Sequence, residues 1–168
     1  MLAVDTETTG LDWFDGCYPF IATASNYDQD GVFQLVPHPE DDGLEDKVRP
    51  DIKALKAKVK EADALIFHNA PFDIHMMVEH LGFDLEELLA KPIHDTAILA
   101  RIVLGEGQWV GSHGGGFGLK ELASHYLDPE AGIPELRIRE AMKSMGLIKK
   151  VDQKKLPDGC YYEVWKAY

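Results

Sequence analysis

Met1-Leu-Ala-Val-Asp-Thr-Glu-Thr-Thr-Gly10 is the stretch from which the fold of this chain is inferred. Its apolar residues 2–4 predict a buried strand that ends near the turn signal of Gly10. Asp5 and Glu7 lie two residues apart, so on a strand both side chains leave the same face. Two carboxylates held close together repel each other, and a cation that prefers oxygen ligands relieves the repulsion. The stretch alone leaves two interpretations open, a Mg²⁺ or Mn²⁺ site or a solvated acidic turn.

The composition limits the classes of protein to which the chain can belong. Its 168 residues, 45% of them hydrophobic and 27% charged, suffice for one globular domain with a hydrophobic core. No apolar run is long enough to cross a bilayer, and the start lacks a secretory signal, so no membrane partner is expected. Cys17 and Cys160 lack metal-ligand spacing, which favours a reducing cytoplasm.

The net charge of −12 argues against a protein that binds duplex DNA through its phosphates. It is compatible with an enzyme that binds a nucleic-acid end locally and uses metal ions as the positive charge.

Patterns further along the chain predict a mixed sheet flanked by helices, an α/β fold. Residues 19–26 and 32–36 read as an antiparallel hairpin beside the first strand. The apolar run 64–67 is typical of a strand buried on both faces, and a short strand is expected at Ile93. The remaining patterns predict helices, namely from Pro50 to Glu61, after residues 68–73 through Leu81, from the cap Asp95 through Leu104, from Leu119 to Tyr126, and from Cys160 onward.

Asn69 and Asp73 follow the second buried strand and complete a polar constellation. They are four residues apart at the start of a helix and therefore lie on one face of it. Taken singly, Asn69 can be a helix cap and Asp73 a favourable charge at a helix N-terminus. Sites in such sheets form at the carboxyl ends of central strands, where Asp5 and Glu7 are also expected. The pattern therefore favours one shared site.

Asp5-x-Glu7 followed by Asn69-x-x-x-Asp73 after an apolar strand resembles the DEDD family of 3′→5′ exonucleases. Within its tyrosine branch, the chain is most similar to the proofreading domain of family A DNA polymerases. His94-Asp-Thr96 and residues 118–127 extend the resemblance along essentially the whole chain. It implies a ribonuclease H-like mixed central sheet, with an antiparallel hairpin plus parallel strands flanked by helices, in a single domain over residues 1–168.

The resemblance also implies a reaction, a cofactor and partners. The reaction is two-metal-ion hydrolysis of the terminal phosphodiester of single-stranded or frayed DNA, which releases nucleoside monophosphates. The partners are a DNA 3′ end and a polymerase domain in the parent protein, in the cytoplasm of a bacterial or virus-infected host cell. The implied site residues are Asp5, Glu7 and Asp73 as catalytic ligands of two Mg²⁺ or Mn²⁺ ions, Tyr168 as a further catalytic residue, and Thr6, Leu11, Asn69 and Phe72 as substrate contacts.

The third family motif, Tyr-x-x-x-Asp, is where this sequence departs from the pattern. Tyr168 is the last residue, and Tyr126 is followed four positions later by Glu130. We interpret Tyr168 as the motif tyrosine of a chain truncated just before its last catalytic Asp, which predicts low activity. A helix-surface tyrosine is the alternative interpretation.

Two other functions fit the same sequence. One is a non-catalytic exonuclease-fold scaffold or DNA-end-binding module, and the other is a ribonuclease of the same family. The basic segment 137–155 fits a solvated helix face, and it also fits a surface that contacts a DNA strand or a neighbouring domain.

Overall fold

The computed structural model describes residues 1–11, 16–35, 45–105, 116–146, 148–155 and 161–167. Their contacts divide the chain into two units, 1–114 and 115–168, and each unit is described by itself. The single domain predicted over 1–168 and its truncation remain predictions.

The first unit contains a mixed five-stranded sheet, which confirms the predicted fold class. Its order is β3-β2-β1-β4-β5, so β1 is the central strand. β1 pairs with β2 and β2 with β3 in antiparallel fashion, whereas the β1–β4 and β4–β5 pairs are parallel. The strands are β1 (Leu2–Thr8), β2 (Pro19–Ser25), β3 (Asp30–Gln34), β4 (Leu65–Phe67) and β5 (Ile93–Asp95).

Helices flank this sheet and close its core. They are α1 (Glu45–Glu61), α2 (Ala70–Leu81), α3 (Leu85–Leu89) and α4 (Thr96–Leu104). Buried leucine, valine and methionine side chains of α1 and α2 pack on the buried side chains of the strands, because an amphipathic helix removes its apolar stripe from water in this way. The core includes Leu2, Val4, Leu55, Val59, Leu65, Phe67, Met77 and Leu81.

The predicted boundaries of two helices can be compared directly with the structure. The helix expected from Pro50 begins five residues earlier, at Glu45, and ends at Glu61 as predicted. Pro50 is therefore the sixth residue of α1, where the lack of an N–H removes one backbone hydrogen bond of the helix, and the helix continues past it. The cap at Asp95 and the helix through Leu104 are confirmed.

The second unit contains α5 (Leu119–Tyr126), α6 (Ile133–Ser144) and a β6 (Ile148–Lys155)–β7 (Tyr161–Ala167) hairpin. The helix predicted from Cys160 onward is wrong, because 161–167 is a strand paired antiparallel with β6. Aromatic and β-branched residues such as those in Tyr-Tyr-Glu-Val-Trp favour a strand once a partner strand is available. Tyr168 lies outside the described residues, as do residues 36–44 and 106–115.

None of the helices within the described ranges has the length and apolar character needed to span a membrane.

Candidate active site

The central strand β1 places Asp5 and Glu7 on one face. Leu2, Val4 and Thr6 are buried, and they alternate with the exposed Asp5 and Glu7. This is the alternation expected of a strand whose one face packs on the core. The two carboxylates therefore share a face near the carboxyl end of β1.

Asp73 is tied to the same strand from α2. Its side chain is only 3% exposed, and its Oδ1 accepts hydrogen bonds from Thr6. The backbone N–H of Thr6 donates at 2.9 Å, and the Thr6 hydroxyl donates at 2.6 Å. Neither bond uses Oδ2 of Asp73. These contacts fix the first turn of α2 against β1, at the residue between Asp5 and Glu7.

The pKa of Asp73 reflects its burial and the nearby charge of Asp5. The pKa of Asp73 is raised from 3.8 to about 6; burial is the main cause, the hydrogen bonds from Thr6 lower the pKa, and the negative charge of Asp5 raises it. A carboxyl group removed from water and placed beside another carboxylate favours the protonated form. The structure thus brings Asp5 and Asp73, which lie far apart in the sequence, into one electrostatic neighbourhood.

Asn69 occupies the position before α2 in an unusual backbone conformation. Its φ of 75° and ψ of 56° lie in the left-handed region, and no other described non-glycine residue has a positive φ. Its side chain is exposed and makes no capping hydrogen bond, so capping by that side chain, expected from the residue type, is absent. The side-chain amide of Asn69 therefore makes no hydrogen bond to the start of α2.

Asp95 supplies the contacts that Asn69 does not make. This residue is 9% exposed, and its carboxylate accepts hydrogen bonds from the backbone N–H groups of two helix starts. The donors are Asn69 at 3.1 Å, Ala70 at 2.8 Å, Ala97 at 2.9 Å and Ile98 at 3.3 Å. Burial alone raises the pKa of Asp95, but the four N–H donors outweigh it and hold the pKa below its usual value.

The sequence predicts Asp95 only as the cap of α4. Its bonds to residues 69 and 70 were missed, because they cross between two segments that meet only in the folded sheet. The available signal was the position of His94-Asp-Thr96 after a short strand, since neighbouring parallel strands end at a common edge.

His68 has a defined place beside Asn69. The Thr96 hydroxyl donates to the Phe67 carbonyl oxygen at 3.0 Å, so it accepts from Nδ1 of His68 at 2.9 Å. This arrangement places a proton on Nδ1 of His68. The half-buried imidazole therefore joins the end of β4 to the start of α4.

The other predicted site residues differ in their exposure and contacts. Leu11 is 79% exposed, and Phe72 is half-buried with its backbone N–H donating to the Asn69 carbonyl oxygen at 3.0 Å. Thr6 is buried, and its hydroxyl is engaged by Asp73. The roles predicted for Thr6, Leu11, Phe72 and Tyr168 stay predictions.

The donor set of this edge suits a hard divalent cation. Asp5, Glu7 and Asp73 offer carboxylate oxygens, which Mg²⁺ and Mn²⁺ prefer. Within the described part of the chain, no three His, Cys, Asp or Glu side chains are grouped closely enough to hold a metal ion. The residue types suit the cation, but the described carboxylates are not gathered into a coordination shell.

Comparison with known proteins shows the family to which this chain belongs. A sequence model of the 3′-5′ exonuclease family matches residues 1–146, so the chain belongs to that family. It is 30% identical over 129 residues to a DNA polymerase of Mycobacterium phage L5, an alignment covering 77% of this chain and 20% of that protein. It is 35% identical over 79 residues to the DNA polymerase DpoZ of Salmonella phage PMBT28, covering 45% of this chain and 11% of that protein. The alignments thus span about a fifth or less of the length of these relatives.

Proposed function

We propose that this chain is the proofreading exonuclease domain of a phage-type DNA polymerase and removes nucleotides from the 3′ end of single-stranded or frayed DNA. The observation that carries the proposal is the pairing of Asp73 with Thr6 between Asp5 and Glu7, in a chain of the 3′-5′ exonuclease family. The two phage relatives are DNA polymerases, which supports a polymerase domain as the partner in the parent protein. The cytoplasm of the host cell is the proposed place of action.

The roles that we propose for the three carboxylates follow from their exposure. Asp5 and Glu7 are exposed and would hold divalent cations, with Asp73 completing the set from α2. When bound, the cations supply an activated water and stabilise the leaving 3′ oxygen. The Thr6 hydrogen bonds hold Asp73 in place, so that its carboxylate is oriented before any ligand arrives.

The proposed substrate contacts are Asn69 and Leu11. Asn69 presents an amide that its own helix does not use, and Leu11 presents an exposed apolar side chain. We propose that the amide binds the terminal nucleotide and that Leu11 packs against terminal bases. Apolar packing against bases tolerates any sequence, as proofreading requires.

The test uses the full chain and a 5′-labelled single-stranded DNA oligonucleotide with Mg²⁺ or Mn²⁺. We expect a ladder of products that shorten from the 3′ end, and no ladder with Asp5→Ala. Asp28→Ala is the matched control, because Asp28 is an exposed aspartate in the β2–β3 turn. An oligonucleotide blocked at its 3′ end should resist degradation.

The outcomes separate the competing functions. No degradation by the wild-type chain, combined with retained DNA binding, would favour the DNA-end-binding module. Degradation of RNA in preference to DNA would favour the ribonuclease. Equal degradation by wild type and Asp5→Ala would contradict the proposed site.

A further inference from the structure

We infer that Asp95 is a positioning residue that holds Asn69 and the first turn of α2 in the geometry that receives the terminal nucleotide. The inference rests on the proposed function, because it assigns Asn69 to the substrate. Asp95 itself touches no proposed reacting atom and acts through the backbone of residues 69 and 70.

The contacts of Asp95 differ from those of an ordinary helix cap. An N-cap carboxylate accepts from N–H groups of its own helix, as Asp84 does from Glu87 at 2.9 Å. Asp95 makes the equivalent bonds to Ala97 and Ile98, with its Oδ1. Asp95 also accepts hydrogen bonds from the backbone N–H groups of Asn69 and Ala70, which lie 26 and 25 positions away. Asn69 donates to Oδ1 and Ala70 donates to Oδ2. One buried carboxylate therefore links the starts of two helices.

The conformation of Asn69 explains why such a link is needed. A left-handed backbone is disfavoured for residues with a Cβ atom, although asparagine tolerates it better than most. The Asp95 carboxylate accepts from the Asn69 and Ala70 N–H groups in this conformation, and buried N–H groups are costly to leave unpaired. The charge at the N-terminus of α2 adds to this stabilisation. Asp95 thus stabilises the left-handed backbone of Asn69, and this backbone conformation sets the direction of the Asn69 side chain.

The test compares Asp95→Asn with Asp84→Asn in the full chain. Asparagine keeps one acceptor oxygen and replaces the other by an NH₂ donor, so in the orientation that keeps the most bonds Asp95→Asn retains those at Oδ1 and loses the bond to Ala70. Asp84→Asn is the matched control, because it makes the same change at an exposed cap that serves only its own helix. The measurements are the Kd for single-stranded DNA by fluorescence anisotropy in EDTA, KM and kcat with Mg²⁺ or Mn²⁺, and Tm.

We expect Asp95→Asn to raise both Kd and KM on the order of tenfold, as for the loss of one or two hydrogen bonds, and Asp84→Asn to leave both within about twofold. A double-mutant cycle with Asn69→Ala tests the route of the effect. If Asp95 acts through Asn69, Asp95→Asn should weaken binding much less in the Asn69→Ala background than in the wild type.

Two results would overturn the inference. One is a lower Tm for Asp95→Asn with unchanged Kd and KM, which would leave Asp95 a purely structural cap. The other is full additivity in the cycle. If the proposed exonuclease activity is wrong, the wild-type chain will bind DNA in EDTA but will not degrade it. The binding measurements then still decide the role of Asp95. Wild-type chain that neither binds nor degrades DNA would overturn both proposals.

Discussion

Oδ1 of Asp73 accepts both the backbone N–H and the hydroxyl of Thr6, at 2.9 and 2.6 Å, and so joins the first turn of α2 to the central strand β1. The bond between the two side chains spans 67 residues of sequence. It sets the position of one acidic side chain relative to the two that flank Thr6.

Thr6→Val should destabilise the protein by about 1–2 kcal/mol, because a buried carboxylate loses its hydroxyl donor while the shape of the side chain is kept. Loss of that donor should also raise the pKa of Asp73 further. Urea unfolding at neutral pH measures the first effect. Thr23→Val, an exposed threonine on β2, is the control and should change stability by no more than about 0.5 kcal/mol. Equal losses of stability for the two variants would show that the Thr6–Asp73 hydrogen bond does not stabilise the fold.

Asp73→Asn should change how stability depends on pH in metal-free protein. The pKa of Asp73 is about 6 when folded and 3.8 in the unfolded reference, so the folded state binds the proton more tightly. The resulting stabilisation is fully present below pH 3.8 and is lost as the pH rises through 6, and its full size is roughly 3 kcal/mol.

The measurement is the difference in unfolding free energy between wild type and Asp73→Asn in EDTA across this window. We expect the wild type to lose stability relative to the variant as the pH rises. A difference that moves in the opposite direction would show that Asp73 is stabilised as an anion.

Divalent cations should stabilise the wild-type chain against heat. A ligand that binds only the folded state contributes about 2.7 kcal/mol at roughly a hundredfold excess over its Kd. Saturating Mn²⁺ should therefore raise Tm for the wild type and have little effect on Asp5→Asn. Asp63→Asn, which changes an exposed aspartate just before β4, serves as the control and should respond as the wild type does. A Tm that rises equally in all three proteins would place the cation elsewhere.

Asn69→Gly and Asn69→Ala should separate the conformational role of Asn69 from its contact role. Glycine adopts the left-handed backbone freely, so Asn69→Gly should keep or slightly raise stability, whereas Asn69→Ala should lose about 1 kcal/mol. Both variants remove the amide and should weaken binding to single-stranded DNA. The measurements are urea unfolding and fluorescence anisotropy in EDTA. Unchanged DNA binding in both variants would remove Asn69 from the proposed substrate contacts.

Local sequence patterns predicted most elements of the first unit. Alternation in Met1–Gly10 placed Asp5 and Glu7 on one face of a strand, and the apolar run 64–67 marked the neighbouring strand. These predictions succeeded because side-chain periodicity and turn residues act over a few positions. The strand at 161–167 was predicted as a helix, because its structure depends on the pairing partner β6, which a local pattern does not reveal.

The sequence by itself determined the acidic residue set, the mixed sheet and the family resemblance, since these follow from residue types, spacing and periodicity. Only the tertiary structure decided that Thr6 holds Asp73, that Asp5 raises the pKa of Asp73, and that Asp95 rather than the Asn69 side chain caps α2. The physical reason is that hydrogen bonding and charge coupling depend on distances between strands and the starts of the helices that follow other strands. Those distances are fixed when the strands assemble into one sheet.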